Sequence, residues 1–391
     1  MSRIMILGAG RGQVDLIRSV KKYGHTAIVA SIPGPYPGFD YADEVCYVDI
    51  TNPLAVEQEV LARKIEGITT CCMDAGMESL GYICEKYHFP GPSWEAAKTA
   101  RDKLLMKDKF ITGRVRTAKY KKITCKDDLS RCCDSLSFPM IVKAVDQQGS
   151  RGINIARTPE ELLSAWEATM NDTRKDYCIV EEFLSGQKHG ANGCIIGGKL
   201  VFFLASRDLT ENTSVLGHIF PFDIDASVLN DIRVQSLAAV GALGLDNCIF
   251  NVDYILHQGQ VYIIEATGRM GANGIPELLS IYYNRDIYEI LTAIACGEGA
   301  ELSFSPTHSG TPCCSKMLVS QKDGVLKEII QHDLPESAQI SYFVSSGDRI
   351  SIYKSAKDCV GQLILRGPSD TDWDLEISRI TNNIHFVLEE A

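Results

Sequence analysis

The strongest constraint on the fold lies in residues 1–92, where short apolar runs alternate with helically spaced segments. Ile4 to Leu7 leads into Gly8-Ala9-Gly10, and Leu16, Ile17 and Val20 then keep helical spacing within Val14 to Tyr23, which predicts strand, turn and helix. Thr26 to Ala30, Val45 to Val48 and Ile68 to Cys72 repeat the apolar run, with helices over Pro53 to Lys64 and Met77 to Tyr87. Strands that are apolar throughout and separated by helices predict a parallel sheet covered on both faces. The glycines do not complete a dinucleotide fingerprint. Gln13 stands where its third glycine belongs, and Ala30-Ser31 where an acidic ribose ligand is expected. A plain tight turn, or a site for another ligand, is the reading.

Pro90-Gly91-Pro92-Ser93 closes this unit and opens a helical stretch rich in Ala, Lys and Leu. Between Arg116 and Leu184 short strands (Phe138 to Val145, Ile153 to Ala156, Cys178 to Phe183) surround a helix. Thr158-Pro159-Glu160-Glu161 starts that helix with an N-cap, a first-turn proline and a capping-box glutamate. Strands follow at Cys194 to Ile196, Leu200 to Ala205, Ile249 to Leu256 and Val261 to Ala266, around a helix over Ala226 to Leu243; the rest holds short strands and one terminal helix. The expected organisation is a mixed α/β and α+β chain with domains 1–92, 93–305 (a lid subdomain at about 116–184) and a small α+β lobe, 306–391.

Composition removes several classes. A formal charge of −11 speaks against a nucleic-acid or anionic membrane surface, which needs clustered Lys and Arg. Fourteen cysteines without any C-x-x-C, some as adjacent pairs, suit buried thiols in a reducing cytoplasm better than a disulfide framework. The N-terminal apolar run is too short for a signal h-region and no stretch approaches a membrane span.

Three segments carry chemistry. Phe138 to Ala144 is a strand with one cation, Lys143, followed by Gln147-Gln148-Gly149-Ser150-Arg151-Gly152; glycine backbone N–H groups, the Ser150 hydroxyl and the charges of Lys143 and Arg151 suit a phosphate clamp, and a plain hairpin with a surface lysine is the alternative. Ile179 to Leu184 is an apolar strand ending in Glu181-Glu182, where carboxylate and main-chain groups can meet an adenine amino group; a solvated acidic strand end is the alternative. Asn251 to Glu265 is a hairpin of two apolar strands. With a three-residue connection, Gln258 to Gln260, Asp253 falls opposite Glu265 on one face, with Thr267 beyond; a two-residue turn would put the two acids on opposite faces. Facing carboxylates repel unless a cation lies between them, and hard oxygen ligands suit Mg2+ held with nucleotide phosphates. Arg269, in Gly268-Arg269-Met270-Gly271, is an always-charged fork beside this pair that can hold an acyl phosphate or an oxyanion; a simple salt bridge is the alternative.

These motifs in this order resemble the ATP-grasp superfamily over approximately Met1 to Gly297. The resemblance implies an ATP-grasp fold with an N-terminal α/β domain that helps hold the non-nucleotide substrate. ATP and Mg2+ (or Mn2+) are then the cofactors. Lys103 looks like the first nucleotide lysine and Lys143 the second, Ser150-Arg151-Gly152 the phosphate loop, Glu181, Glu182, Phe183 and Leu184 the adenine linker, and Asp253 with Glu265 the metal pair. Departures are Lys188-His189 in place of an acidic ribose ligand and Thr267 in place of a metal-binding Asn. The Arg269-x-Gly271 pattern is similar to that of amino-acid and peptide ligases. The implied reaction activates a carboxylate as an acyl phosphate, with Lys143 and two metal ions offsetting charge, and passes it to an amine. Arg269 would hold the acyl oxygen; Arg207 would assist at the substrate, with a surface ion pair as the alternative; and His218 and Asp74 could line the acceptor pocket, with a structural role as the alternative for each. Expected substrates are amino acids or small peptides, without nucleic acid or membrane, and a homodimer is compatible. The competing readings are a bicarbonate-activating carboxylase or carbamoyl-phosphate-type enzyme, and a nucleotide-binding protein without catalysis.

Overall fold

A computed structural model describes residues 1–149, 151–211, 214–299 and 310–389. Ser150 and the expected boundary at 305/306 lie outside the described residues. The chain divides into two compact units. One comprises Met1–Ala205, Ile224–Gly271 and residues 288–299; the other comprises Ser206–Asp223, Ala272–Ile287 and residues 310–389.

The first unit begins with β1 (Arg3–Leu7), α1 (Arg11–Lys22), β2 (Thr26–Ser31), β3 (Glu44–Tyr47), α2 (Pro53–Ala62), β4 (Gly67–Thr69) and α3 (Met77–Tyr87). The strands pair in parallel in the order β3-β2-β1-β4, as the alternation implied. Met5, Leu7, Ile28 and Ala30 on one face pack with Val56, Val60, Leu80 and Ile83 from α2 and α3. Gln13 folds back into the glycine turn, accepting from Gly10 N–H at 3.0 Å and donating to Cys71 O at 2.6 Å. The turn is thus held by the chain itself.

Two helices follow, α4 (Trp94–Arg101) and α5 (Lys103–Thr112), divided by Asp102, whose carboxylate caps α5 by accepting from the Leu104 and Leu105 N–H groups. Next come β5 (Tyr120–Ile123), α6 (Lys126–Cys133), β6 (Met140–Ala144), β7 (Ile153–Ala156), α7 (Pro159–Asp172) and β8 (Cys178–Glu182). Their strands form an antiparallel sheet in the order β5-β8-β6-β7. β9 (Gln187–Ile196) follows, and β10 (Lys199–Glu211) starts in this unit and ends in the second, where β11 (Ser214–Phe220) lies. α8 (Ala226–Leu243), β12 (Cys248–His257) and β13 (Gln260–Thr267) complete the first unit's larger sheet, ordered β13-β12-β9-β10.

The second unit continues with α9 (Ile275–Tyr283), while α10 (Ile287–Ala295) returns to the first. β14 (Cys313–Val319), β15 (Gly324–Gln331), β16 (Ala338–Tyr342), β17 (Arg349–Ile350), β18 (Cys359–Arg366), α11 (Trp373–Thr381) and β19 (Ile384–Glu389) follow. Here β10, β11, β14, β18 and β16 are neighbours in that order, and β17-β15-β19 form a separate sheet. Leu326, Leu363, Leu365, Trp373, Ile377 and Ile380 make the core.

Several strands differ from expectation. β9 starts at Gln187 instead of Cys194, β10 runs to Glu211 instead of Ala205, and β5 and β11 were not anticipated. Gln187 to Gly193 lacks apolar alternation, yet it pairs with β12 along its length and its Gly190 to Gly193 are buried. A Cβ at Gly193 would stand 2.3 Å from Phe250 Cζ, so the glycine is a packing requirement in a central strand. None of the fourteen cysteines is in a disulfide. Among the described residues no helix is long and apolar enough to cross a membrane.

Candidate functional site

The site residues of the first unit fall into three groups, beginning with a buried charge cluster. Glu181 stands opposite Ile141 in the β6–β8 ladder, two positions from Lys143, so both side chains leave the same face. Lys143 Nζ lies 3.0 Å from Glu181 Oε2, and Lys107 Nζ, from α5, lies 3.1 Å from the same oxygen. Lys107 also donates to Thr117 Oγ1 at 2.8 Å and to Ala118 O at 3.3 Å. Burial pushes the Glu181 carboxyl up, but the two ammoniums outweigh it and hold the group below its ordinary range. Burial pulls Lys107 down to about 8 against the opposing pull of Glu181. Among the described residues the buried Glu181 Oε1 has no hydrogen-bond partner, an open acceptor for a donor such as an exocyclic amino group. Lys107 was missed in the sequence. Its one signal was its position four residues after Lys103, one turn along the same helix face.

The linker leaves β8 with Glu182 half-buried, its Oε1 accepting from Lys119 N–H at 2.9 Å. Phe183 is exposed and its N–H donates to Pro139 O at 3.2 Å, while Leu184 is half-buried. Lys103 Nζ donates to Gln147 O at 2.7 Å and lies 3.9 Å from Glu265 Oε2, tying the first lysine to the loop after β6 and to the acidic hairpin. In that loop Gly152 has φ +62°, and a Cβ there would meet the Ala144 Cβ at 2.6 Å. Arg151 is exposed, with its Nε donating to Gln148 O at 3.2 Å.

The second group is the hairpin. Its connection is Gln258-Gly259 alone, both with positive φ (51° and 76°), and Gln260 already pairs with His257. The three-residue connection is therefore corrected to a two-residue turn. Left regular, that turn would separate the acids. A bulge between Asp253 and Tyr254, with Ile264 as the extra residue, shifts the register, and Asp253 stands opposite Glu265 with Asn251 opposite Thr267. Four oxygen-bearing side chains thus share one face. Asp253 Oδ2 pairs with Lys188 Nζ at 2.7 Å and its Oδ1 accepts from Asn251 Nδ2 at 3.0 Å. Burial pushes the Asp253 carboxyl up, and Lys188 more than reverses this. Among the described residues no three His, Cys, Asp or Glu side chains form a metal cluster. Two carboxylates that need further oxygens from a phosphate fit Mg2+ and not a closed protein cage.

In the third group, Arg269 forks onto Asp74, its Nε donating to Oδ1 and its Nη2 to Oδ2, each at 2.7 Å. Thr267 Oγ1 donates to Asp74 Oδ1 at 3.0 Å. With its amide nitrogen toward Asp74 and its oxygen toward Arg101, Gln148 adds a fourth donor at 3.2 Å. Burial raises the Asp74 carboxyl but Arg269 holds it below its usual range, and the same pair raises the guanidinium against burial. Gly271 N–H donates to Asn192 Oδ1 at 3.4 Å.

Arg207 and His218 belong to the second unit. Arg207 forks onto Asp374 of α11 with two bonds of 3.0 Å, the ion-pair alternative for this residue. His218 is buried, with Nδ1 2.8 Å from Asp208 Oδ1.

The ATP-grasp domain model matches residues 109–275, the span that holds Lys143, Glu181, Asp253, Glu265 and Arg269. With a phosphoribosylglycinamide synthetase from Anaerococcus prevotii the chain shares 34% identity over 99% of its length and 100% of that chain, at a TM-score of 0.84. The chain belongs to the ATP-grasp family. An L-amino acid ligase from Bacillus licheniformis has the same fold, with a TM-score of 0.86 over 100% of this chain and 99% of that one, at 15% identity. An alanine–anticapsin ligase from Bacillus subtilis (strain 168) is 26% identical over 56% of this chain and 52% of its own length, so the chain spans about half of that relative.

Proposed function

We propose that this chain is an ATP- and Mg2+-dependent ligase that converts a carboxylate to an acyl phosphate and joins it to an amine, with an amino acid as one of the two substrates. The observation that carries this reading is the directly opposed Asp253 and Glu265 in the unit that also holds Lys103, Lys143 and Glu181. Glu181 Oε1 takes the adenine amino group, and Lys143 and Lys103 hold phosphate oxygens. Glu265, across the hairpin from Asp253, would hold Mg2+, whose charge would offset that of the transferred phosphoryl group. Arg269, oriented by Asp74, holds the acyl oxygen as the amine attacks, next to Gly271. The reading makes no use of Arg207. The names phosphoribosylamine–glycine ligase, alanine–anticapsin ligase and L-amino acid ligase among the relatives support an amino acid partner.

The test incubates the protein with Mg-ATP and pairs drawn from amino acids, with glycine plus phosphoribosylamine as a further pair, and measures ADP, phosphate and product mass. The expected result is an amide formed with stoichiometric ADP, and no ADP from the folded Lys143→Met and Glu265→Gln variants. ATP turnover driven by bicarbonate alone, or undiminished in either variant, would overturn the reading.

A further inference from the structure

We infer that Lys188 is a resident cation of the acidic hairpin, taking the place of one metal ion at Asp253, so that this centre binds a single divalent ion at Glu265 where two were expected. The inference rests on the ATP-ligase reading above. Lys188 lies on β9 opposite Ile255, and Gly190, directly opposite Asp253, contributes no side chain. The lysine reaches diagonally along the same face and sets its ammonium 2.7 Å from Asp253 Oδ2. Asn251 Nδ2 engages the other oxygen at 3.0 Å. Both Asp253 oxygens are therefore taken by donors from the same sheet.

The rest of that face differs. The Thr267 hydroxyl is turned to Asp74. Among the described residues the ion-pair partner of Glu265 is Lys103, at 3.9 Å, which is beyond hydrogen-bonding distance. Of the two acids, Glu265 alone keeps its oxygens for a metal. A divalent ion approaching Asp253 would meet a tethered ammonium already in contact, and at short range like charges in a partly buried site repel strongly. The lysine side chain is about one quarter exposed (26%) and that of Asp253 less so (15%), so water screens this pair only in part. A compact ammonium on a flexible stem is suited to this substitution, since it neutralises an anion without the geometry a metal shell demands.

The experiment counts ions. Mn2+ is titrated into the full-length protein with a non-hydrolysable ATP analogue present and followed by electron paramagnetic resonance, with analogue binding measured separately by calorimetry. Wild type and Lys188→Arg are expected to bind one Mn2+ per chain. Lys188→Met is expected to bind a second, at least about tenfold more tightly than any second ion on wild type. Two Mn2+ ions on the analogue-bound wild type, or on folded Lys188→Arg, would overturn the inference and leave the ATP reading intact. Absence of analogue binding in every protein would remove both.

Discussion

Replacing Glu181 by Gln tests the buried charge cluster directly. In the native chain one carboxylate oxygen lies 3.0 Å from Lys143 and 3.1 Å from Lys107, with the Lys107 side chain 1% exposed and that of Lys143 8%. Two ammoniums that close to one atom repel by about 3 kcal/mol once the charge between them is gone, at the effective dielectric of a protein interior. Breaking a buried ion pair by removing one partner costs about 3–5 kcal/mol, so Glu181→Gln is expected to lose stability on that scale. The loss should depend on pH. The folded-state value of Lys107, already pulled down to about 8, falls further without Glu181. An amine whose folded value lies below its unfolded one binds fewer protons when folded, so stability rises with pH between the two values. The variant should therefore recover part of its deficit between neutral pH and about pH 8, above which native Lys107 is neutral as well and both chains gain stability in parallel. Urea unfolding at pH 7 and pH 9.5 reads both effects. A second substitution, Lys107→Met in the Glu181→Gln background, should restore much of the loss because no buried like-charge pair remains. A variant as stable as wild type at pH 7, or equally deficient at both pH values, would refute the reasoning.

Other expectations follow from single contacts. Gly152→Ala forces a left-handed backbone and a 2.6 Å approach to the Ala144 Cβ, and should lower the urea midpoint by an amount equivalent to about 1–3 kcal/mol; an unchanged midpoint would mean that the loop relaxes freely. Asp74→Asn removes the charge that orients Arg269, so kcat should fall about ten- to hundredfold with the KM for ATP unchanged, because a misplaced positioning group costs rate and not nucleotide affinity. Steady-state kinetics with ATP varied at saturating acceptor decides it, and an equal rise in KM would place Asp74 at the nucleotide instead.

How far the sequence could be read depends on the kind of signal each segment offers. β1 to β3 and α3 announce themselves through apolar runs and helical spacing, because strands and helices buried against a parallel sheet must be apolar in that pattern. β9 has no such pattern. Its glycines answer to Phe250 and to the close approach of β12, a demand that only the folded neighbour makes visible. The facing acids were inferred through a turn of the wrong length, and the register survived because the bulge at Ile264 supplies the residue the turn lacks. Lys107 went unmarked in a helical stretch rich in Ala, Lys and Leu, since nothing in a chain of letters says that its turn of α5 is covered. Asp74 and Arg269 are nearly two hundred positions apart, and their fork exists only because β4 ends beside the exit of β13.

The shared oxygen of Glu181 has a further consequence for how a phosphate could be received. A lone lysine–glutamate couple would be left half-broken whenever an incoming anion drew the lysine away, stranding a negative charge in the interior. With a second ammonium already seated on the same atom, Lys107 would remain as the standing counterion if Lys143 turned toward a ligand. On the ATP-ligase reading, capture and release would then leave no uncompensated anion in the interior.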